Sequence, residues 1–354
     1  MGGSVQDFIN ECRWSYRRKI LFGIICMVLV VVMLFITIAM GKYNISFLDS
    51  YRVFMDNLLG HSSGTRDDLI IWDYRVPRAI MAIFVGASLS IAGAVMQNLM
   101  RNPLAEPFTM GISSGAFLGA VFSIVGGISI IPFIAGDEAT VVNAFLMSLV
   151  PVGLIMVISK YRKTTPTTMI LCGISIMYIF SSVSTLLMVM ADPTHLSEAY
   201  SWRIGTLGKA DWSELPIVVP SMIVLMILLL CLSKHLNTLS AGDKAAMSLG
   251  TDPYLTRIVA LVIVALLTAF AVSFTGTIGF VGLVAPHIVR IFIGSNNKYL
   301  LLACACFGAF FLLTMDSLAK VVSETGLPVG VICAMIGGPI FIYILIQQRK
   351  KIWY

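Results

Sequence analysis

Uncharged apolar stretches alternate with short polar connections along almost the whole chain, at 20–41, 79–100, 107–136, 139–159, 164–191, 215–233, 258–286, 299–315 and 325–348. About 20 such residues in helical conformation cross the hydrocarbon core of a bilayer. The pattern therefore predicts an all-α polytopic membrane protein, with no room for a soluble domain between the stretches. The stretch at 258–286, extended through His287 and Arg290 to Ser295, is too long for one crossing. Dividing it at Gly276–Gly282 gives two short helices and about ten transmembrane helices in all. One membrane domain over 20–348 is expected, between short tails at 1–19 and 349–354.

The first stretch follows Arg13, Arg17, Arg18 and Lys19 and runs uncharged from Ile20 to Gly41. A secretory signal has an apolar region of only about 7–15 residues, so this reads as a retained span. From the end of the second stretch into the third, residues 101–119 place Asn102, Pro103, Glu106 and Pro107 ahead of Gly111, Gly115 and Gly119. Proline-broken chain at membrane depth survives only where it is buried in protein or lines an aqueous cavity, as in the broken helices of transporters.

Composition agrees: 58% of residues are hydrophobic and 12% charged, about half the roughly 25% charge of a soluble domain. With the N-terminus inside, the cytoplasmic connections and tails collect 16 of the 24 Lys and Arg residues. That bias predicts both termini in the cytoplasm and a multi-pass cell-membrane protein. The net charge of +6 then reflects topology, and no nucleic-acid partner is expected. Six of the seven cysteines lie in apolar stretches without CxxC or Cys/His spacing, which reads as small buried hydrophobes and no metal site.

The cytoplasmic connection at 234–257 carries two short helical signals. Ser240 and Asp243 have capping-box spacing, Leu249-Gly250 fits a helix stop, and Asp252-Pro253 reads as a new N-cap. The expected hairpin over 236–256 is an ordinary surface loop or a pair of helices that docks in a partner's groove. On the outside, Arg75 and Arg78 flank Val76-Pro77, either as interfacial anchors or as a pair for a partner's carboxylates. Asp316 and Lys320, four apart, either neutralise each other or leave Lys320 as a third basic contact. Arg78–Pro107 and Arg257–Pro286 echo each other from opposite sides of the membrane, as inverted transporter repeats do.

Gly111-Ile-Ser113-Ser-Gly115 satisfies a serine-hydrolase pattern, and Ser113 with His287 would be a protease dyad. No strand precedes it as an elbow requires, and the glycines at four-residue spacing read instead as a close-packing helix face. Nothing points to a catalytic residue. Without a chain of buried carboxylates, a gradient-driven carrier is also disfavoured. No P-loop motif occurs, so any ATP must be bound by another subunit.

Arg75-Val-Pro-Arg78, Gly86 to Gln97, Asn102-Pro-Leu-Ala-Glu-Pro107, Gly111-Ile-Ser-Ser-Gly115, Leu249-Gly250, Gly276 to His287 with Gly279, Gly282 and Pro286, Leu327-Pro-Val-Gly330 and Gly337-Gly-Pro339 follow one another in order. Over about residues 70–348 the chain resembles the FecCD/BtuC-like permease subunits of ABC importers for iron-siderophores, haem and cobalamin. The resemblance implies ten helices per subunit, a second permease copy or close paralogue, two ABC ATPase subunits that use ATP and Mg, and an extracytoplasmic substrate-binding protein. It implies docking of that protein on Arg75, Arg78 and Lys320, with lysine where relatives often have arginine. Coupling to the ATPase falls on Ser240, Asp243, Leu249, Gly250 and Asp252, and a cytoplasmic gate on Thr165, Pro166 and Thr167. The substrate implied is an iron chelate, with cobalamin, haem and molybdate handled by the same machinery, and no cofactor bound by this chain.

Overall fold

The computed structural model describes residues 5–41, 43, 45–62, 64–161, 165–322 and 327–347, and among them every regular element is helical. The order is α1 (Val5–Ala39), α2 (Phe47–Leu58), the single turn α3 (Arg66–Asp68), a π-helical turn Leu69–Arg75, and α4 (Val76–Leu99). A 3-10 turn (Pro107–Met110) precedes α5 (Ile112–Ile124), followed by α6 (Gly136–Tyr161), α7 (Pro166–Val189), α8 (Pro193–Ile204), α9 (Leu215–Cys231) and α10 (Ser233–Ser240). The chain closes with α11 (Asp243–Ser248), α12 (Pro253–Thr275), α13 (Val281–Ile293), α14 (Asn297–Val322) and α15 (Val329–Gln347).

Among the described residues seven helices are long and apolar enough to cross a membrane; α9 and α10, bent by 48°, make an eighth if taken together. The two remaining apolar helices, α5 and α13, have 13 residues each. The expected span at 107–136 is therefore shorter than its apolar stretch. Its helix ends at Ile124 because Gly126 and Gly127 follow, the latter at φ +60°, where a residue with a Cβ is strained. The expected split of 258–286 falls where the chain does break, between Thr275 and Val281.

Several helices start by one local rule. Asp192 and Asp252 each accept two backbone N–H groups, and Thr165 accepts the Thr168 N–H, with proline next in all three cases. The side chain satisfies orphan donors, and proline costs nothing where its own N–H would be orphaned.

α4 is the axis of the bundle, buried along nearly its whole length and packed on α14, α13, α12 and α9. Its contacts are made by glycine: a Cβ on Gly86 would overlap the Gly308 carbonyl of α14, and one on Gly93 would overlap the Gly282 backbone of α13. Since lipid removes the hydrophobic drive between helices, such close backbone approach is what holds them together. α1 lies against α14, with Thr37 and Ser317 hydroxyls bonded in the buried contact. α7 leaves Leu171, Tyr178, Ile179 and Leu186 exposed along an apolar face.

The internal echo has a structural counterpart. α4, with 24 residues, is followed by a break and the 13-residue α5; α12, with 23 residues, is followed by a break and the 13-residue α13. The C-terminal end of α4 and the N-terminal part of α12 meet at Asp243, through Arg101 and Arg257, so the two copies run in opposite directions.

Candidate transport machinery

The three cations expected to face a binding protein are all engaged within the chain. Arg75, at the end of the π-helical turn, is buried and donates to the carbonyls of Ile38 (3.0 Å), Ala39 (2.9 Å) and Tyr43 (3.2 Å). It satisfies carbonyls that the C-terminus of α1 leaves without partners, and Gly41 leaves the room its guanidinium needs. In this conformation it ties the end of α1 to the turn before α4 and lies buried.

Arg78, one turn further, grips Asp316 of α14 bidentately: Nε donates to Oδ1 at 2.9 Å and to Oδ2 at 3.1 Å, and Nη2 to Oδ1 at 2.7 Å. Lys320 approaches the same carboxylate to 2.9 Å. Asp316 is fully buried, and the Arg78 and Lys320 side chains are 18% and 8% exposed. Of the two readings left open for Lys320, this conformation has it neutralising Asp316. Near Arg78 lies a cavity of about 1030 Å³ whose lining includes Tyr74, Trp202, Lys209 and Glu214. Burial is the main cause that pushes the Glu214 carboxyl above its ordinary value.

At the opposite end of α4 the chain turns sharply. Arg101 adopts φ +47°, unusual for a residue with a side chain. Asn102 accepts the Leu104 N–H at 2.9 Å, and after Pro103 the Glu106 carbonyl takes the N–H (3.1 Å) and hydroxyl (2.7 Å) of Thr109. Pro107 opens the 3-10 turn, and Gly111 at φ +83° starts α5. The Glu106 carboxylate lies near Gly282, at the start of α13 in the second copy of the repeat. In the second break Gly276 packs on Trp202 and Gly205, and Phe280, at φ +68°, places its ring against Gly337 and Gly338 of α15. Gly279 has open space around it, and Pro286 lies buried within α13.

Ser113 and His287 form no dyad. Ser113 belongs to α5, where Gly115 and Gly119 press on the α6 backbone, while the His287 Nδ1 lies 2.9 Å from the Leu283 carbonyl and 3.5 Å from Gln97 Nε2. Among the described residues no group of three or more His, Cys, Asp or Glu side chains is placed to hold a metal.

The 236–256 hairpin has two helices, with one correction. Ser240 ends α10, donating to Leu236 O at 2.9 Å and accepting from Asn98 at 2.8 Å, and Gly242 (φ +108°) takes the N-cap of α11. No capping box forms, because Asp243 is turned toward Arg101 and Arg257 instead. Arg257 donates to its two oxygens at 3.0 and 2.7 Å, and Arg101 bonds Oδ1 as well as the Leu239 carbonyl. The Arg257 bond, above all, holds the Asp243 carboxyl below the usual carboxylate range. Gly250 at φ +78° closes α11, Leu249 is 67% exposed, and Asp252 caps α12 at Tyr254 N and Leu255 N. Thr165, Pro166 and Thr167 open α7 on an accessible turn; residues 162–164 before them lie outside the described residues. The pairings of Arg78 with Asp316 and of Arg101 and Arg257 with Asp243 are ones that motif reading did not make. The i, i+4 spacing of Asp316 and Lys320 hinted at one pair, but nothing local hinted at the long-range ones.

A polytopic helical protein built on an inverted pair of broken helices is a membrane transport protein by architecture. The chain belongs to the FecCD transport family, whose sequence profile matches residues 29–347. An ABC transporter permease protein of Methanocaldococcus jannaschii is 38% identical over 355 residues, covering 98% of this chain and all of that protein. The hemin transport system permease protein of Yersinia pestis is 33% identical, covering 95% of this chain and 98% of its own length. A solved structure described as an inward-facing conformation of a metal-chelate type ABC transporter superposes with a TM-score of 0.80 at 27% identity, covering 93% of this chain and 99% of that one.

Proposed function

We propose that this chain is the ten-span transmembrane subunit of an ATP-driven ABC importer that takes up an iron(III)-siderophore or related iron chelate by alternating access. Both termini are cytoplasmic, and the working unit pairs it with a second copy or close paralogue, two ATPase subunits and an external binding protein. The chain itself performs no chemistry: ATP and Mg are used by the partner. The observation that carries the reading is the 236–256 hairpin, which leaves Met247 and Leu249 exposed on a short helical pair while Asp243 ties it to both repeat copies. Exposed apolar side chains on such a pair suit a groove on a partner protein.

In this reading, nucleotide binding by the partner moves the hairpin and tilts α7 and α15. The turn at Thr165–Thr167 opens and closes the inner end, and the hydroxyls of Ser181 and Ser182 lie along α7 beside the pathway. Arg78 and Lys320 meet carboxylates of the binding protein, which compete with Asp316 for them. A relative named for hemin and a structural neighbour of metal-chelate type support an iron chelate as cargo; the same machinery would serve haem, cobalamin or molybdate. The test is to tag the chain, purify it from its native membrane in mild detergent, and identify what accompanies it by mass spectrometry. A stoichiometric P-loop ATPase is the expected companion. An intact assembly without one would favour a gradient-driven carrier, and proteolysis abolished by Ser113→Ala would favour a protease.

A further inference from the structure

One carboxylate at the inner end of the bundle receives an arginine from each copy of the inverted repeat. Arg101 stands in the first copy, two residues beyond α4, at the start of the break that leads to Glu106 and α5; Arg257 stands in the second copy, within α12. Asp243 belongs to neither, being the first residue of α11 in the hairpin between them. Its Oδ1 is shared by both guanidiniums and its Oδ2 is taken by Arg257. Arg101 reaches it from a left-handed backbone conformation, φ +47°, and spans the hairpin by also bonding the Leu239 carbonyl of α10. Strained residues of this kind persist where the surroundings over-determine them, and they cluster at switching elements. Asn98 to Ser240 at 2.8 Å and Thr238 to Thr251 at 3.0 Å add further links, the first between α4 and the hairpin and the second within it.

We infer that Arg101 and Arg257 are positioning residues that make Asp243 the joint through which the hairpin moves both repeat copies together. The inference rests on the proposed coupling role of the hairpin. With the joint intact, a displacement of α11 pulls the α4–α5 break and the start of α12 at once, and the Glu106 carboxylate of the first break lies near Gly282 at the start of α13. With Arg101 neutralised, the hairpin still moves and α12 still follows, but the first break is left with only the Asn98–Ser240 bond at the end of α4 to draw it along. Arg257 alone then takes both carboxylate oxygens.

Hydrogen–deuterium exchange on the permease–ATPase complex, with and without ATP–vanadate trapping, reads this directly and requires no transported ligand. The wild-type complex is expected to change its exchange at 240–252, at 100–110 and at 253–260 on trapping. Arg101→Gln should keep the changes at 240–252 and 253–260 and lose most of that at 100–110. Arg101→Lys, which retains the charge, should restore part of the response and covers the case in which the glutamine variant does not assemble. An unchanged response at 100–110 in an assembled Arg101→Gln complex overturns the inference while leaving the coupling role standing. No response at 240–252 in the wild type, or full transport by Gly250→Trp, overturns the coupling role itself.

Discussion

Replacing Asp316 by asparagine leaves the Arg78 guanidinium and the Lys320 ammonium without the charge that now lies 2.7 and 2.9 Å from them. Asp316 is fully buried and both cations are less than a fifth exposed, so water recovers little of the loss. Removing one partner of a buried ion pair costs about 3–5 kcal/mol, because it strands the other charge in a poorly solvated site. At about 2 °C per kcal/mol for a chain of this size, the melting midpoint in detergent should fall on the order of 5–10 °C. Asp316→Asn with Lys320→Gln removes one of the two stranded charges and should recover part of that fall. Docking should respond in the opposite sense: cations no longer held by Asp316 are freer to meet the binding protein's carboxylates, so affinity measured at low salt should hold or rise in the single variant. A melting midpoint within 1 °C or so of wild type, at the precision of such a shift, would refute the triad as a load shared by three side chains. A collapse of docking in a variant that still folds would refute the competition.

Arg75→Gln should release the carbonyls of Ile38, Ala39 and Tyr43 at a cost of about 1–3 kcal/mol, seen as faster amide exchange over 36–45; lost docking with unchanged exchange would mean that Arg75 faces the partner instead. Gly93→Val drives a side chain into the Gly282 backbone and should abolish a monodisperse peak in fluorescence-detected size exclusion, whereas Gly153→Ala, with open space around it, should not. Because Arg257, and then Arg101, hold Asp243 below the usual carboxylate range, its stabilisation is present above about pH 4 and lost as pH falls through its lower folded value. Melting midpoints measured between neutral and acid pH should therefore drop less steeply below that pH in Asp243→Asn than in wild type.

Much of the fold was legible because bilayer physics is severe. The apolar stretches locate the long helices, and the start at Asp252 follows from side-chain capping with proline next, whereas the Asp192 start of α8 lies outside any apolar stretch. The ends were harder to read. The stretch at 107–136 keeps its hydrophobicity past Ile124, where two glycines have already ended the helix, and α1 extends back through charged residues that the apolar pattern excludes. At the site, sequence marks Arg75 and Arg78 alike, yet one staples a helix end and the other grips a carboxylate far away along the chain. That choice depends on which face of the turn meets α1 and which meets α14. For the same reason Ser240 and Asp243 have the spacing of a capping box, but a pair of arginines from distant segments outbids the backbone N–H for the carboxylate.

The most direct test is uptake into proteoliposomes holding the permease with its co-purified ATPase and its binding protein outside, loaded with radio-iron as a ferric hydroxamate or as haem. Accumulation that requires ATP inside the vesicles, persists when ion gradients are collapsed and is lost in Gly250→Trp is the predicted result. Accumulation driven by an ion gradient in the absence of any ATPase would contradict the account.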